Sequence, residues 1–298
     1  MSETTQGLHV VAQTPFHPDG AIDHDSIASL SEFYYHHGAR GLTVLGFSGE
    51  SQTLTPDESV AVAASYVAAS KGRAIFAGVS SPNLAILSEV AAQVMAERAR
   101  GVMIAPAASA RTDEALFAYF DAVFSRIGDV PTVLQDFPAA TGVQMSVPAM
   151  ARLVALFPQI TVIKEEDMPS ARKVAALRQA LPAHVRVLTG NNGLYLPQEL
   201  ARGADGPMAG FSYPEMLSSV DRLLREEGDT AAAHAVFNRY LPLLKHEAQG
   251  ALGIALRKET MRRRGALASA TMRAAGGRLD DADIAELDSI LSHMDLPE

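Results

Sequence analysis

The stretch GLTVLGFSGESQTLTPDESVAVAASYVAASKGRAIFAGVS, residues 41–80, holds two short β-rich runs on either side of a helix start. GLTVLG (41–46) and AIFAGVS (74–80) are apolar almost throughout rather than alternating, the pattern of strands covered on both faces. Between them, Thr55-Pro56-Asp57-Glu58 spells a capped helix N-terminus. The Thr55 hydroxyl can accept from the Glu58 N–H, Pro56 needs no donor, and Glu58 can reach back. Strand, turn, helix and strand in this order make one β-plus-α unit.

The same unit recurs along the chain. Further β-rich runs are LHVVAQ (8–13), GVMIAP (101–106), PTVLQD (131–136), TVIK (161–164), VRVLTG (185–190) and GPMAG (206–210). Helical periodicity fills most of the gaps, as in SPNLAILSEVAAQVMAERAR (81–100) and PSARKVAALRQAL (169–181). An open doubly wound sheet would give a similar alternation, but no GxGxxG follows the first strand, and eight units suit closure. After Met208 the pattern is helical, over 213–227, 229–247, 248–264 and 281–294. The expected fold is an α/β (β/α)8 TIM barrel. Residues 1–212 form the barrel and its site, and 213–298 add the last barrel helix and a C-terminal helical appendage packed on it.

Bulk properties narrow the function. The 298 residues are 48% hydrophobic and carry a net charge of −9. The densest basic run, Arg262-Arg263-Arg264, is short and lies in a helical pattern, which argues against a nucleic-acid partner. There is no cysteine, hence no disulfide framework. MSETTQGLHV lacks the basic and apolar parts of a signal peptide, and no apolar run is long enough to span a bilayer. The nine histidines show no metal-ligand spacing. A cytoplasmic protein with no membrane partner, no metal and no cofactor is expected.

Chemistry in such barrels sits at the C-terminal ends of the strands. That rule selects Thr14 after strand one, Ser48-Gly49-Glu50 after strand two and Gln135-Asp136 after strand five. It also selects Lys164 with Glu166 after strand six, Asn191-Asn192 after strand seven, and Met208 to Phe211 after strand eight. A lysine in water is almost wholly an ammonium at neutral pH, so a nucleophilic lysine needs surroundings that disfavour charge. Lys164 is either that nucleophile or a strand-end lysine reaching for water. If the strand stays extended, Glu166 shares the side of Lys164 and Glu165 points away. Glu166 is then a proton carrier that must either lie beyond pairing distance or be outweighed by desolvation; the other reading is a helix-entry acid. GFSGES (46–51) offers a hydroxyl and successive N–H groups to a carboxylate, or is a plain turn.

Together these pieces resemble the dihydrodipicolinate synthase/N-acetylneuraminate lyase family of Schiff-base barrels. TPFHPDGAID (14–23), GFSGESQTLTPDE (46–58), VIKEE (162–166) and ARGADGPMAG (201–210) stand in the family's order and spacing. The resemblance implies that Lys164 condenses with the ketone of a 2-oxo acid whose carboxylate rests on Ser48-Gly49, in a homotetramer or homodimer. Departures accompany it. Gln135-Asp136-Phe137-Pro138 replaces the family's YN-x-P, so an amide stands where a phenol shuttles protons. Ala140 matches the arginine that clamps aspartate semialdehyde in the synthases, IAPAASA (104–110) lacks their strand-four tyrosine, and Phe47 replaces a threonine.

VLQDFPAATG (133–142), the Lys-x-Glu of 164–166 and YLPLLKHEAQGALGIALRKETMRRRG (240–265) look more like the branch that dehydrates 2-keto-3-deoxy sugar acids such as L-arabonate derivatives. The expected reaction is therefore dehydration through a lysine imine, with aldol cleavage and a catalytically silent sugar-acid binder as alternatives. Catalytic roles fall to Lys164, Glu166 and Gln135. Ser48, Gly49, Glu50, Thr14, Asn192, Met208 and Phe211 are the expected substrate contacts.

Overall fold

The computed structural model describes residues 6–294, so the first five residues and the last four of the 213–298 segment lie outside it. Eight parallel strands close on themselves in chain order, the last pairing with the first. They are β1 (His9–Val11), β2 (Gly41–Val44), β3 (Ala74–Gly78), β4 (Gly101–Ile104), β5 (Thr132–Asp136), β6 (Ile160–Glu165), β7 (Arg186–Thr189) and β8 (Gly206–Ala209). Seven fall within the expected runs, β6 extends TVIK (161–164) by one residue at each end, and the (β/α)8 barrel is the fold.

The barrel helices are α1 (His24–His36), α2 (Pro56–Ala69), α3 (Leu84–Ala96), α4 (Asp113–Ile127), the single turn α5 (Pro138–Thr141), α6 (Val147–Leu156), α7 (Ser170–Ala180), α8 (Leu196–Ala201) and α9 (Pro214–Arg222). Three more complete the chain: α10 (Thr230–His246), α11 (Gly250–Arg263) and α12 (Asp281–His293). The Thr55 capping box forms as read, with both reciprocal bonds present. The expected helix 213–227 instead divides at Arg222, and a π-helical turn, Leu223–Glu227, ends on the left-handed Gly228. No helix among the described residues is long and apolar enough to cross a membrane.

Strand parity sorts the side chains into two cores. Val11, Phe76, Met103, Val133, Val162, Leu188 and Met208 fill the barrel interior. Their strand neighbours, including Leu42, Leu134, Ile163 and Val187, face outward under the helices. Burying one such aliphatic side chain contributes roughly 1.5–3 kcal/mol. The interior layer is a packed plug, which leaves the residues just above it at the strand outlets free to form a site.

Candidate active site

Parity along β6 places the key lysine. Val162 faces inward and Ile163 outward, so Lys164 turns inward above the plug, opposite Gln135 of β5 in register. Lys164 is 4% exposed, and the reading of a lysine reaching for water is thereby excluded. Its Nζ lies 3.1 Å from Glu166 Oε2. Glu166 is thus within direct pairing distance and on the side that the extended backbone required.

Glu166 is held from every direction. Gln135 Nε2 donates to its Oε2 at 2.7 Å, and the Asn191 N–H donates to its Oε1 at 3.3 Å. The Asn191 amide donates to its backbone carbonyl at 3.2 Å. Gly190 makes the room: a Cβ there would stand 2.2 Å from Glu166 Oε1 and 2.3 Å from its Cγ. A carboxylate that accepts three donors, one of them an ammonium, is fixed in place yet can take that ammonium's proton.

On the opposite side of the same barrel end, Thr14 Oγ1 donates to the Gly49 carbonyl at 2.7 Å. This clasp holds the turn Phe47–Gly49 against β1, where a Gly49 Cβ would meet the Ala12 carbonyl at 3.2 Å. Behind the turn lies a residue that sequence reading missed. Arg257 of α11 is 1% exposed; its Nη1 stands 3.4 Å from Ser48 Oγ, and its Nε donates to Glu247 Oε2 at 2.9 Å. Gly210 gives it space, since a Cβ there would be 2.6 Å from Nη1. With its oxygen accepting from a guanidinium, the Ser48 hydroxyl is free to aim its proton at an anion.

Several expected contacts stand elsewhere. Glu50 does not face the mouth: it is fully buried, pairs with Lys258 Nζ at 2.5 Å, and accepts from the backbone N–H groups of Arg273 and Ala274. Phe211 is turned into the outer core, its ring packing on Tyr213 and Tyr240. Met208 belongs to the interior plug beneath the site, beside Val162 and Leu188. Asn192 sits in the short turn after β7 at φ +57°, half-buried, with no side-chain hydrogen bond among the described residues.

The outward neighbours of Gln135 and Lys164 form a second polar cluster. Asp136 and Glu165 are adjacent in register and fully buried. Lys173 of α7 donates to Asp136 Oδ2, and to Asp167 Oδ2 at 2.8 Å; the Asp167 N–H donates to Glu165 Oε1 at 2.8 Å. Among the described residues Asp136 Oδ1 and Glu165 Oε2 find no donor, and a proton shared between the two carboxyl groups would satisfy both. Burial, and then the Asp136 charge, push Glu165 up to about 10, and burial raises Asp136 as well. The folded state therefore keeps a proton that the unfolded chain releases, and stability falls as pH rises from the carboxylate range toward about 10. Glu199, raised to about 7 by burial, and Asp221, raised to about 6 by burial, spend their contributions earlier. Urea midpoints between about pH 8 and 10 are expected to drop for the wild type and to drop less for Glu165→Gln. Equal slopes would remove the shared proton.

A buried amine facing a carboxylate and a hydroxyl-bearing turn is productive for a carbonyl substrate, and this is the arrangement of the imine-forming, class I lyases. The family follows from comparison with known proteins. The model of the Dihydrodipicolinate synthetase family matches residues 4–294, and the chain belongs to that family. It is similar to a 4-hydroxy-tetrahydrodipicolinate synthase of Thermosynechococcus vestitus, 32% identical over 240 residues that cover 78% of each chain. It superposes on a dihydrodipicolinate synthase from Rhodopseudomonas palustris with a TM-score of 0.94, at 38% identity over 98% of both chains. For the 4-hydroxy-tetrahydrodipicolinate synthase of Methylacidiphilum fumariolicum the TM-score is 0.86, at 26% identity over 96% of this chain and 95% of that one. These relatives carry synthase names, and the expected closeness to the sugar-acid dehydratase branch has no support in them. That expectation rested on a few residues at the outlets of β5 and β6 and on helix composition, a small part of a match that runs through the whole scaffold.

Proposed function

We propose that the protein is an imine-forming enzyme of 2-oxo acids that makes or breaks a carbon–carbon bond next to the imine carbon. The 3.1 Å contact between Lys164 and Glu166, closed by Gln135, carries this reading. As substrate enters, one proton passes from Nζ to Oε2, leaving a neutral amine and a carboxylic acid. The amine adds to C2, Glu166 returns its proton to the carbinolamine hydroxyl, which leaves as water, and the protonated imine draws electrons from C3. Glu166, a carboxylate again, takes a C3 proton and leaves an enamine. Its C3 attacks an aldehyde, and the new alkoxide takes a proton from Glu166; cleavage runs the same steps backward. The Ser48-Gly49 turn, steadied by Thr14 and Arg257, seats the substrate carboxylate. Asn192, with an uncommitted amide, serves substrate hydroxyls.

The names of the relatives support carbon–carbon chemistry. Gln135, Ala140 and the missing strand-four tyrosine speak against aspartate semialdehyde as the partner aldehyde. Dehydration of a 2-keto-3-deoxy acid is the second reading, favoured by the same Glu166 contact: a base beside the imine nitrogen also suits loss of the C4 hydroxyl after C3 deprotonation. We further propose that 1–212 and 213–298 act as one unit, assembled as a homotetramer or homodimer.

Borohydride reduction in the presence of pyruvate is expected to leave one reduced adduct on the peptide holding Lys164. No adduct, or an adduct elsewhere, would overturn the reading and favour a silent binding protein. With a panel of 2-keto-3-deoxy acids, released pyruvate supports cleavage; a product that retains every carbon supports dehydration.

A further inference from the structure

A cavity of about 1200 Å³ lies at the other end of the barrel, under the N-terminal ends of the strands. Its wall holds six arginines against two acids, Asp221 and Glu226, in a chain whose net charge is −9. Three of the arginines occupy equivalent places: Arg40, Arg73 and Arg100 each immediately precede a strand, β2, β3 and β4. These strands are parallel neighbours about 4.8 Å apart. The pairing of Gly41 with Ala74 sets Arg40 level with Arg73, and that of Phe76 with Gly101 sets Arg100 level with Ile75. Arg98, just beyond the end of α3, joins them in the wall.

Of the two acids in the wall, Asp221 pairs with Arg225 at 3.3 Å, and Glu226 makes no ion pair among the described residues. Arg40 lies farther from Asp221 and acts on it only as a neighbouring charge. Among the described residues, no carboxylate lies within ion-pairing distance of Arg40, Arg73, Arg98 or Arg100. Arg73 lies over the ring of Tyr35 at 4.4 Å, and the Tyr35 hydroxyl in the same wall is buried with no hydrogen-bond partner among the described residues. Four exposed guanidinium groups that share a wall with only two acids repel one another, and their planar forks match the oxygens of a phosphate.

We propose that this floor binds a small multivalent anion of the phosphate class, at a site separate from the Lys164 mouth. Inorganic pyrophosphate is the probe, titrated calorimetrically at ionic strength near physiological. Saturable binding to the wild type is expected, weakened about tenfold or more in Arg40→Gln/Arg100→Gln. Arg98→Gln/Arg100→Gln is the second variant should the first fail to fold. Lys164→Ala is expected to bind pyrophosphate as the wild type does, and the arginine variants to form the borohydride adduct unchanged. Absence of saturable binding, equal affinity in the arginine variants, or loss of binding in Lys164→Ala would each overturn the site. Citrate bound as tightly as pyrophosphate would overturn the phosphate class.

Discussion

Glu166→Gln is expected to lower turnover by about 10²–10⁴ and to abolish exchange of the substrate C3 proton into deuterated water, while borohydride still traps a slower-forming adduct on Lys164. The reason is in the donor count. Glu166 Oε2 faces both Lys164 Nζ and Gln135 Nε2, and its Oε1 faces the Asn191 N–H. A glutamine has one acceptor oxygen and an NH2, so it cannot serve all three donors or carry away a proton. Its amide sets a donor against one of the existing donors. Ground-state seating of the carboxylate on Ser48-Gly49 does not pass through residue 166, so KM should move less than kcat. Thermal unfolding measured alongside separates lost chemistry from lost fold. C3 exchange at the wild-type rate would take Glu166 out of the proton-transfer role.

The strands were legible because each is buried on both faces, so its apolar run is continuous and its ends coincide with turn residues. The same two-residue period that put Glu166 beside Lys164 also explains the misreading at β8. Met208 faces inward there and Phe211, three residues on, takes the opposite face, so following the same strand does not place both in the site. Glu50 failed for a different reason. Its partner Lys258 is 208 residues away, and nothing local in GFSGES tells a glutamate that faces the mouth from one that faces the wall. Arg257 was equally silent, since its neighbours in α11 spell an ordinary helix. The floor arginines are about 30 residues apart in the chain, so no basic run announces them; closure of the barrel brings them together.

The wall to which Glu50 belongs carries the largest expected effect on stability. Glu50 and Lys258 are both fully shielded from water, and burial outweighs the attraction of Glu50 in pulling the Lys258 ammonium below lysine's usual value. Lys258 also donates to the Thr271 carbonyl at 2.9 Å and lies 4.4 Å from the centre of the Phe16 ring. Glu50 Oε2 accepts the N–H groups of Arg273 and Ala274, while the Arg273 side chain reaches Glu58 of the capping box at 2.8 Å. Residues 271–274 have no regular secondary structure of their own, so these bonds tie them to the turn that carries Ser48. Glu50→Gln leaves an ammonium buried without its counter-charge and is expected to cost about 3–5 kcal/mol, read as a fall in Tm of roughly 10 °C. Lys258→Met alone should cost a similar amount by stranding the carboxylate. Glu50→Gln/Lys258→Met together should recover a large part of either loss, because neither charge is then uncompensated. Two single losses that simply add would show that the residues act independently. Either outcome also bears on the barrel mouth: if the pair holds the Phe47–Gly49 turn in place, borohydride trapping at limiting pyruvate should weaken in the single variants and return in the double one.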